Sequence, residues 1–265
     1  MLKMLYTLLF LLPSFTVLKA QEWCDNFNDK GLFILGEEIY YKVKFGFIQA
    51  AEAKIIVSDK FFEIENRPCI KIDVYGFSTG LFDLFMHVDD QWGTYLDTAC
   101  VLPKRSYRIL QEGSYRKHEY VYFNHATLTA EYSDYDYIKE KWKKKEYYNI
   151  TEGIQDMVSG YYLLRNMNLE QYAPGDIFRI EGFFEGKIYN FPIRVIKREI
   201  LNTKIGKINT LKLAPIMPEN SLFDGEDSVE FWVGLDDKKL PLKIKAKLFI
   251  GHLEVNISEY LISPD

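Results

Sequence analysis

From residue 36 onward the chain repeats one pattern. Short runs alternate apolar and polar side chains, and glycine, asparagine or aspartate closes each run. Alternation of this kind places successive side chains on opposite faces of a strand. Glu38 to Phe45 and Ile48 to Val57 are the first two runs, with a bend at Gly46. Ser58-Asp59-Lys60 reads as a turn, and Phe61 to Ile64 with Cys69 to Gly76 reads as a hairpin. His87 to Tyr95, Leu102 to Gln111, Tyr115 to Phe123 and Ala126 to Tyr132 continue the series. After residue 176 come Ile177 to Phe184, Ile188 to Ile196, Ile208 to Ile216, Ser228 to Gly234, Leu240 to Phe249 and His252 to Leu261. Two segments depart from period two. Thr79 to Met86 suits one or two helical turns. Further on, Ile154, Met157, Val158, Tyr161, Tyr162, Leu164 and Met167 recur at three and four, which predicts one main α-helix over about 152–168. Thr151 is its expected N-cap. Consecutive strands with short turns and a single long helix predict a mostly β protein. The expected form is one large antiparallel, strongly curved sheet or open β-barrel, in a single domain over 21–265.

The first twenty residues differ in kind. Lys3 precedes an apolar run from Leu5 to Leu18, broken by Thr7, Pro13, Ser14 and Thr16, and Ala20 stands before Gln21. This is the form of a secretory signal peptide cleaved after residue 20. The run is short for a membrane span, which needs about 20 apolar residues. No later stretch resembles a transmembrane helix, so the mature chain is expected to be exported without one.

Composition narrows the class. Hydrophobic residues make up 48% of the chain and aromatics 16%, with Tyr and Phe at 19 each. Such a share suits half-buried pleated surfaces. The formal net charge is −5. Loss of Lys3 and Lys19 from 33 basic residues leaves 31 against 38 acids, or −7. No clustered basic face large enough for nucleic acid is present. The densest basic run is Lys139, Lys141, Lys143, Lys144 and Lys145 around Trp142. It could meet phosphate or an acidic glycan, although the exposed side of a strand explains it more simply.

Candidate chemistry is sparse. Cys24, Cys69 and Cys100 are odd in number and allow at most one internal disulfide, with Cys69–Cys100 as the candidate pair. Cys69 reads equally as a small buried strand residue. Cys24 does not directly follow the expected cut, as a lipid-anchor cysteine must. Gly76-Phe77-Ser78-Thr79-Gly80 fits the G-x-S-x-G nucleophile elbow. Ser78 would then need a histidine as base and an acid to orient it, and His252 is available late in the chain. The fold that hosts such elbows alternates strands and long helices, which this chain does not do. His87, His118, His125 and His252 show no ligand spacing, so no metal or cofactor is expected. The acidic groups Asp89, Asp90 and Asp97, and Asp224, Glu226, Asp227 and Glu230, lack calcium-loop spacing. Asp156, Ser159, Tyr162 and Arg165 sit at helical spacing and are read as a capping and surface pairing network.

Several pieces, in order, resemble a family of exported bacterial proteins, domain of unknown function 3108. They are Gly36 to Val43 with Gly46 to Ala53, Arg108 to Gly113, Gln155 to Arg165, and Phe231 to Asp236 with Leu240 to Ile244 and Gly251. The likeness covers about residues 31–262. Ala51 departs from it, standing where the family often has glycine. The resemblance implies a curved antiparallel β structure in the envelope of a Gram-negative bacterium, and it supplies no catalytic residues. The closing hairpins are also similar to those of periplasmic lipoprotein carriers. The expected function is therefore non-enzymatic: binding or carrying an apolar or lipid-like ligand inside the curved sheet. A structural or assembly role for envelope polysaccharide or the outer membrane is the alternative, and a serine hydrolase at Ser78 is the remote one. Lipid or envelope glycan is the expected partner. An interior cavity of about 300 Å³ or more would favour binding, and close packing would favour a scaffold.

Overall fold

A computed structural model describes Cys24 and residues 33–216, 228–249 and 251–263. The signal peptide and the acids at 224–227 lie outside the described residues. The strands are β1 (Glu37–Phe45), β2 (Ile48–Ile64), β3 (Arg67–Ser78), β4 (Asp89–Asp97), β5 (Leu102–Glu112), β6 (Tyr115–Asn124), β7 (Thr129–Asp136), β8 (Lys141–Trp142) and β9 (Glu146–Asn149). After the main helix come β10 (Ile177–Phe184), β11 (Lys187–Thr203), β12 (Gly206–Pro215), β13 (Val229–Gly234), β14 (Pro241–Leu248) and β15 (Gly251–Ile262). Helix α1 spans Gly80–Phe85, and α2 spans Ser159–Asn166.

All fifteen strands join one antiparallel sheet, in the order β10 to β15, then β1 to β8, with β9 on β7. The first and last strands meet in the middle of this order, where β1 pairs with β15 from Glu37↔Ile262 to Phe45↔Leu253. The sheet does not close on itself through continuous strand pairing. Its flanks are β10 on one side and β7 with β8 and β9 on the other, and the segment after β9 ties them together. Ile150 N–H donates to Leu128 O at 2.9 Å. Gln155 then forms a parallel bridge to Gly182 of β10, donating to Glu181 O at 2.9 Å and accepting from Phe183 N at 2.8 Å. The strap thus caps two otherwise free edges, which would be sticky if left open.

The interior is apolar and shared by both halves. Ile39, Ile70, Ile72 and Leu96 from one side and Leu211, Leu213, Val233 and Leu242 from the other pack around Val158, Tyr162, Leu163 and Leu164. Each fully buried aliphatic side chain contributes about 1.5–3 kcal/mol, so the helix is held by many contacts at once. The outer face of β4 to β8 carries aromatics in contact across strands. Tyr95 meets Tyr107, Tyr107 meets Tyr120 and Tyr120 meets Trp142, while Arg105 lies over Tyr95 and Tyr120. Gly93 makes room for this wall, since a Cβ there would lie 2.2 Å from the Tyr107 ring.

Three expectations are corrected. Ser58-Asp59-Lys60 is not a turn but a bulge inside the long β2, where pairing with β3 jumps between Val57 and Phe61. Ser58 Oγ donates to Lys60 O at 2.6 Å, satisfying the interrupted ladder locally. The main helix begins at Ser159 rather than near 152. Residues 151–156 obey the helical spacing, yet two backbone bonds to β10 outweigh one more helical turn. Thr151 donates to Glu181 instead of capping. Finally, Cys100 bonds to Cys24, not Cys69, and Cys69 is a free buried thiol.

Candidate functional site

Two polar clusters lie inside the barrel. The first locks α2. Asp156 caps the turn that leads into the helix, accepting from Val158 N at 2.7 Å and Ser159 N at 2.9 Å. Ser159 Oγ accepts from Asp156 N at 2.8 Å in return, the reciprocal logic of a capping box. Thr94 Oγ1 of β4 donates to the free Asp156 oxygen at 2.6 Å. Burial pushes the Asp156 carboxyl above the usual carboxylate range, and these donors pull it back only in part. Near the end of the helix, Arg165 does not pair along it. It reaches Glu37 of β1 through two hydrogen bonds of 2.6 and 2.9 Å. Both side chains are 0% exposed. Arg165 Nε donates to Lys238 O at 3.0 Å, and Tyr260 Oη donates to Glu37 at 3.2 Å. Tyr162 stacks on Phe33 in the core. Asp156, Ser159, Tyr162 and Arg165 are therefore all buried rather than forming a surface network. The first two bond each other, and the last two face the barrel.

The second cluster centres on Arg108 of β5. Arg108 Nε donates to Glu119 of β6 at 2.5 Å, and another guanidinium nitrogen to Glu185 at 3.0 Å. Its plane lies over Trp92 and Phe184. Lys117 pairs with Glu119 at 3.3 Å and with Asp134 at 3.1 Å. Arg108, Glu119 and Glu185 line a cleft of about 20 Å³ with Asp156, Val158 and Phe183. That is on the order of one or two waters. Arg108 is already matched by two carboxylates, so the cleft presents no spare cation.

Ser78 ends β3, immediately ahead of α1. The strand–turn–helix setting of a nucleophile elbow is thus met locally. The chemistry is ordered differently. Ser78 Oγ donates to Asp83 and accepts from Val88 N at 2.8 Å. His87 Nδ1 bonds the same Asp83 oxygen at 2.8 Å. The carboxylate stands between hydroxyl and imidazole, whereas nucleophilic activation needs the imidazole in the middle. The Ser78 hydroxyl and then His87 hold the Asp83 carboxyl below its ordinary value, which makes it a weak base. His252 lies at the start of β15, its ring against Phe47. Among the described residues, no group of three or more His, Cys, Asp or Glu side chains could hold a metal ion. Burial raises the Cys69 thiol to about 11.

Glu37, Arg108 and Gln155 lie in segments that carry the family resemblance, yet nothing in the sequence marks them or Glu119 as partners of distant residues. Each is a polar residue whose partner lies in another strand or beyond it. Gly36, at positive φ immediately before Glu37, was the one local hint.

This architecture, an open antiparallel barrel plugged by one helix, defines a class of β-barrel-like proteins. Residues 40–258 match the family described as "Protein of unknown function (DUF3108)", and the chain belongs to that family. A solved β-barrel-like protein of domain of unknown function DUF1849 from Brucella abortus shares the fold. It has a TM-score of 0.55 and 8% identity, over 87% of this chain and 99% of that one. An exported protein with a YmcC-like fold from Bacteroides fragilis overlaps at TM-score 0.31 and 10% identity, over 86% and 99%. A lipoprotein from Parabacteroides distasonis does so at 0.29 and 9%, over 86% and 96%. The fold comparison rests on the first of these. No curated protein matches the sequence.

Proposed function

We propose that this protein is an exported, non-enzymatic scaffold or assembly component of the cell envelope, its barrel filled by its own helix. The Arg165–Glu37 pair carries this reading. A buried ion pair with two direct bonds anchors α2 to β1 at zero exposure, and removing the helix would strand a charge in the core. Among the described residues, Val158, Tyr162, Leu163 and Leu164 occupy the core space that an apolar ligand would need. The cleft at Arg108 has room for one or two waters only, which suits an interior filled by protein side chains. Export is supported by the leader at 1–20, and a non-catalytic Ser78 by the misordered Ser78–Asp83–His87 contacts.

Native mass spectrometry of protein purified after export tests the proposal. The expected result is the bare polypeptide mass and no uptake of a fluorescent fatty acid. A stoichiometric co-purifying lipid would favour the carrier instead.

A further inference from the structure

We propose that one end of the barrel docks on an anionic lipid bilayer. This is independent of what fills the interior. The described part of that end comprises the β1–β2 turn, α1, the β5–β6 turn, the β7–β8 turn, the β10–β11 turn with Glu185, and the β14–β15 turn. Register fixes their common location. Phe45 pairs with Leu253 and Ile48, Ala51 with Ser78 just before α1, and Gly113 N–H donates to His87 O at 2.7 Å. Tyr135 pairs with Trp142 at the same end of β7.

The five most exposed large hydrophobic side chains among the described residues all stand here. They are Phe47 at 98%, Ile138 at 95%, Phe85 at 88%, Leu84 at 79% and Leu81 at 73%. Phe249, at the tip of the neighbouring hairpin, is exposed too. Leu81, Leu84 and Phe85 are spaced i, i+3, i+4 and share one face of α1. A soluble amphipathic helix turns that face inward, yet α1 buries none of its residues. Exposed apolar side chains gathered at one end of a sheet mark a contact surface.

The charges around it select the occupant. Lys139, Lys141, Lys143, Lys144 and Lys145 follow Ile138 directly, with Glu140 as the one acid among them. Lys44 and Lys247 flank the tips of the β1–β2 and β14–β15 hairpins. Lys139, Lys143 and Lys145 are held by Asp136, Asp134 and Glu131, while Lys44, Lys141, Lys144 and Lys247 are exposed and have no ion-pair partner among the described residues. Asp83, the acid on α1, is turned back to Ser78 and His87. Apolar tips with unpaired lysines behind them, on a chain of net charge −5, match a headgroup layer that is apolar below and anionic above. A two-fold pairing of this end with a second copy would set lysine against lysine.

The test is vesicle flotation of the full chain, expressed with its leader and purified after export. Intact mass would confirm that wild type and variants carry the same N-terminus. Vesicles of phosphatidylethanolamine with phosphatidylglycerol should float the wild type, less so in high salt, and phosphatidylcholine vesicles should float it weakly. Leu84→Ser with Phe85→Ser, and separately Phe47→Ser, should each reduce the bound fraction about tenfold while the melting curve stays unchanged. Lys141→Ala with Lys144→Ala should reduce binding to the anionic vesicles only. If the wild type stays unbound, or if both apolar variants float as it does, the proposal is overturned. Sedimentation equilibrium showing a dimer that Leu84→Ser with Phe85→Ser dissolves would assign the face to a second copy, also overturning it.

Discussion

Arg165 and Glu37 lie 128 residues apart in sequence and meet through two hydrogen bonds in the sealed interior. The pair joins the only long-range ion contact of α2 among the described residues to the first strand of the sheet. Removing one partner leaves an uncompensated buried charge, which costs about 3–5 kcal/mol. Glu37→Gln or Arg165→Met alone should lower the denaturation midpoint steeply. Glu37→Leu combined with Arg165→Met should recover most of the loss, because an apolar pair of similar volume avoids desolvation. Urea unfolding of the three variants checks the comparison.

The disulfide gives a separate prediction. Cys24–Cys100 closes a loop with a sequence separation of 76, so its removal should cost about 4 kcal/mol through chain entropy. Cys24→Ser should therefore melt well below the wild type, and Cys69→Ala only slightly below. Thiol titration should find no reactive cysteine in the native protein and one, Cys69, after denaturation without reductant.

Two titrating groups act in opposite senses. Burial lowers the His125 imidazole to about 4, and its Nε2 bonds Pro103 O at 2.7 Å. The unfolded chain binds this proton more readily between about 6.5 and 4, so stability falls as pH drops through that window. The effect is on the order of 2–3 kcal/mol, and His125→Gln should remove much of it. Asp90 is raised to about 6, first by burial and then by its acidic neighbour Glu112. Here the folded state holds the proton more tightly, and stability rises as pH falls from about 6 towards 4. Asp90→Asn should stabilise the protein at pH 7.5 by no more than about 1 kcal/mol after solvent screening, and by nothing at pH 4. Thermal melts across pH separate the two.

Close packing on the outer wall is also testable. Gly93→Ala would drive a methyl into the Tyr107 ring and disturb the Tyr107–Asp73 hydrogen bond. Overpacking of this kind costs about 1–3 kcal/mol. Tyr107→Ala in the Gly93→Ala background should cost less than it does in the wild type, as a double-mutant cycle would show.

Most strands were legible because alternation and turn residues are local signals. Ile39, Tyr41 and Val43 point inward as their spacing requires. The bulge in β2 was not, because Ser58, Asp59 and Lys60 carry turn chemistry whether or not the chain reverses. The start of α2 was misplaced because Ile154 and Val158 are buried for different reasons, one on a strap and one at a helix entrance. The site itself was least visible. Arg165 was read as one member of a surface network with Asp156, Ser159 and Tyr162, since nothing near it in sequence announces Glu37. The pairing of Cys100 with Cys24 is likewise a fact of topology, not of spacing.

Native-state hydrogen exchange on α2 tests the central claim most directly. If the helix is a fixed part of the core, the amides of Leu163 to Asn166 should exchange only through global unfolding, with the same free energy and denaturant dependence as Ile70 and Leu211. Exchange of those four amides through a much cheaper local opening, while the strands stay protected, would make the helix a displaceable lid and contradict the account.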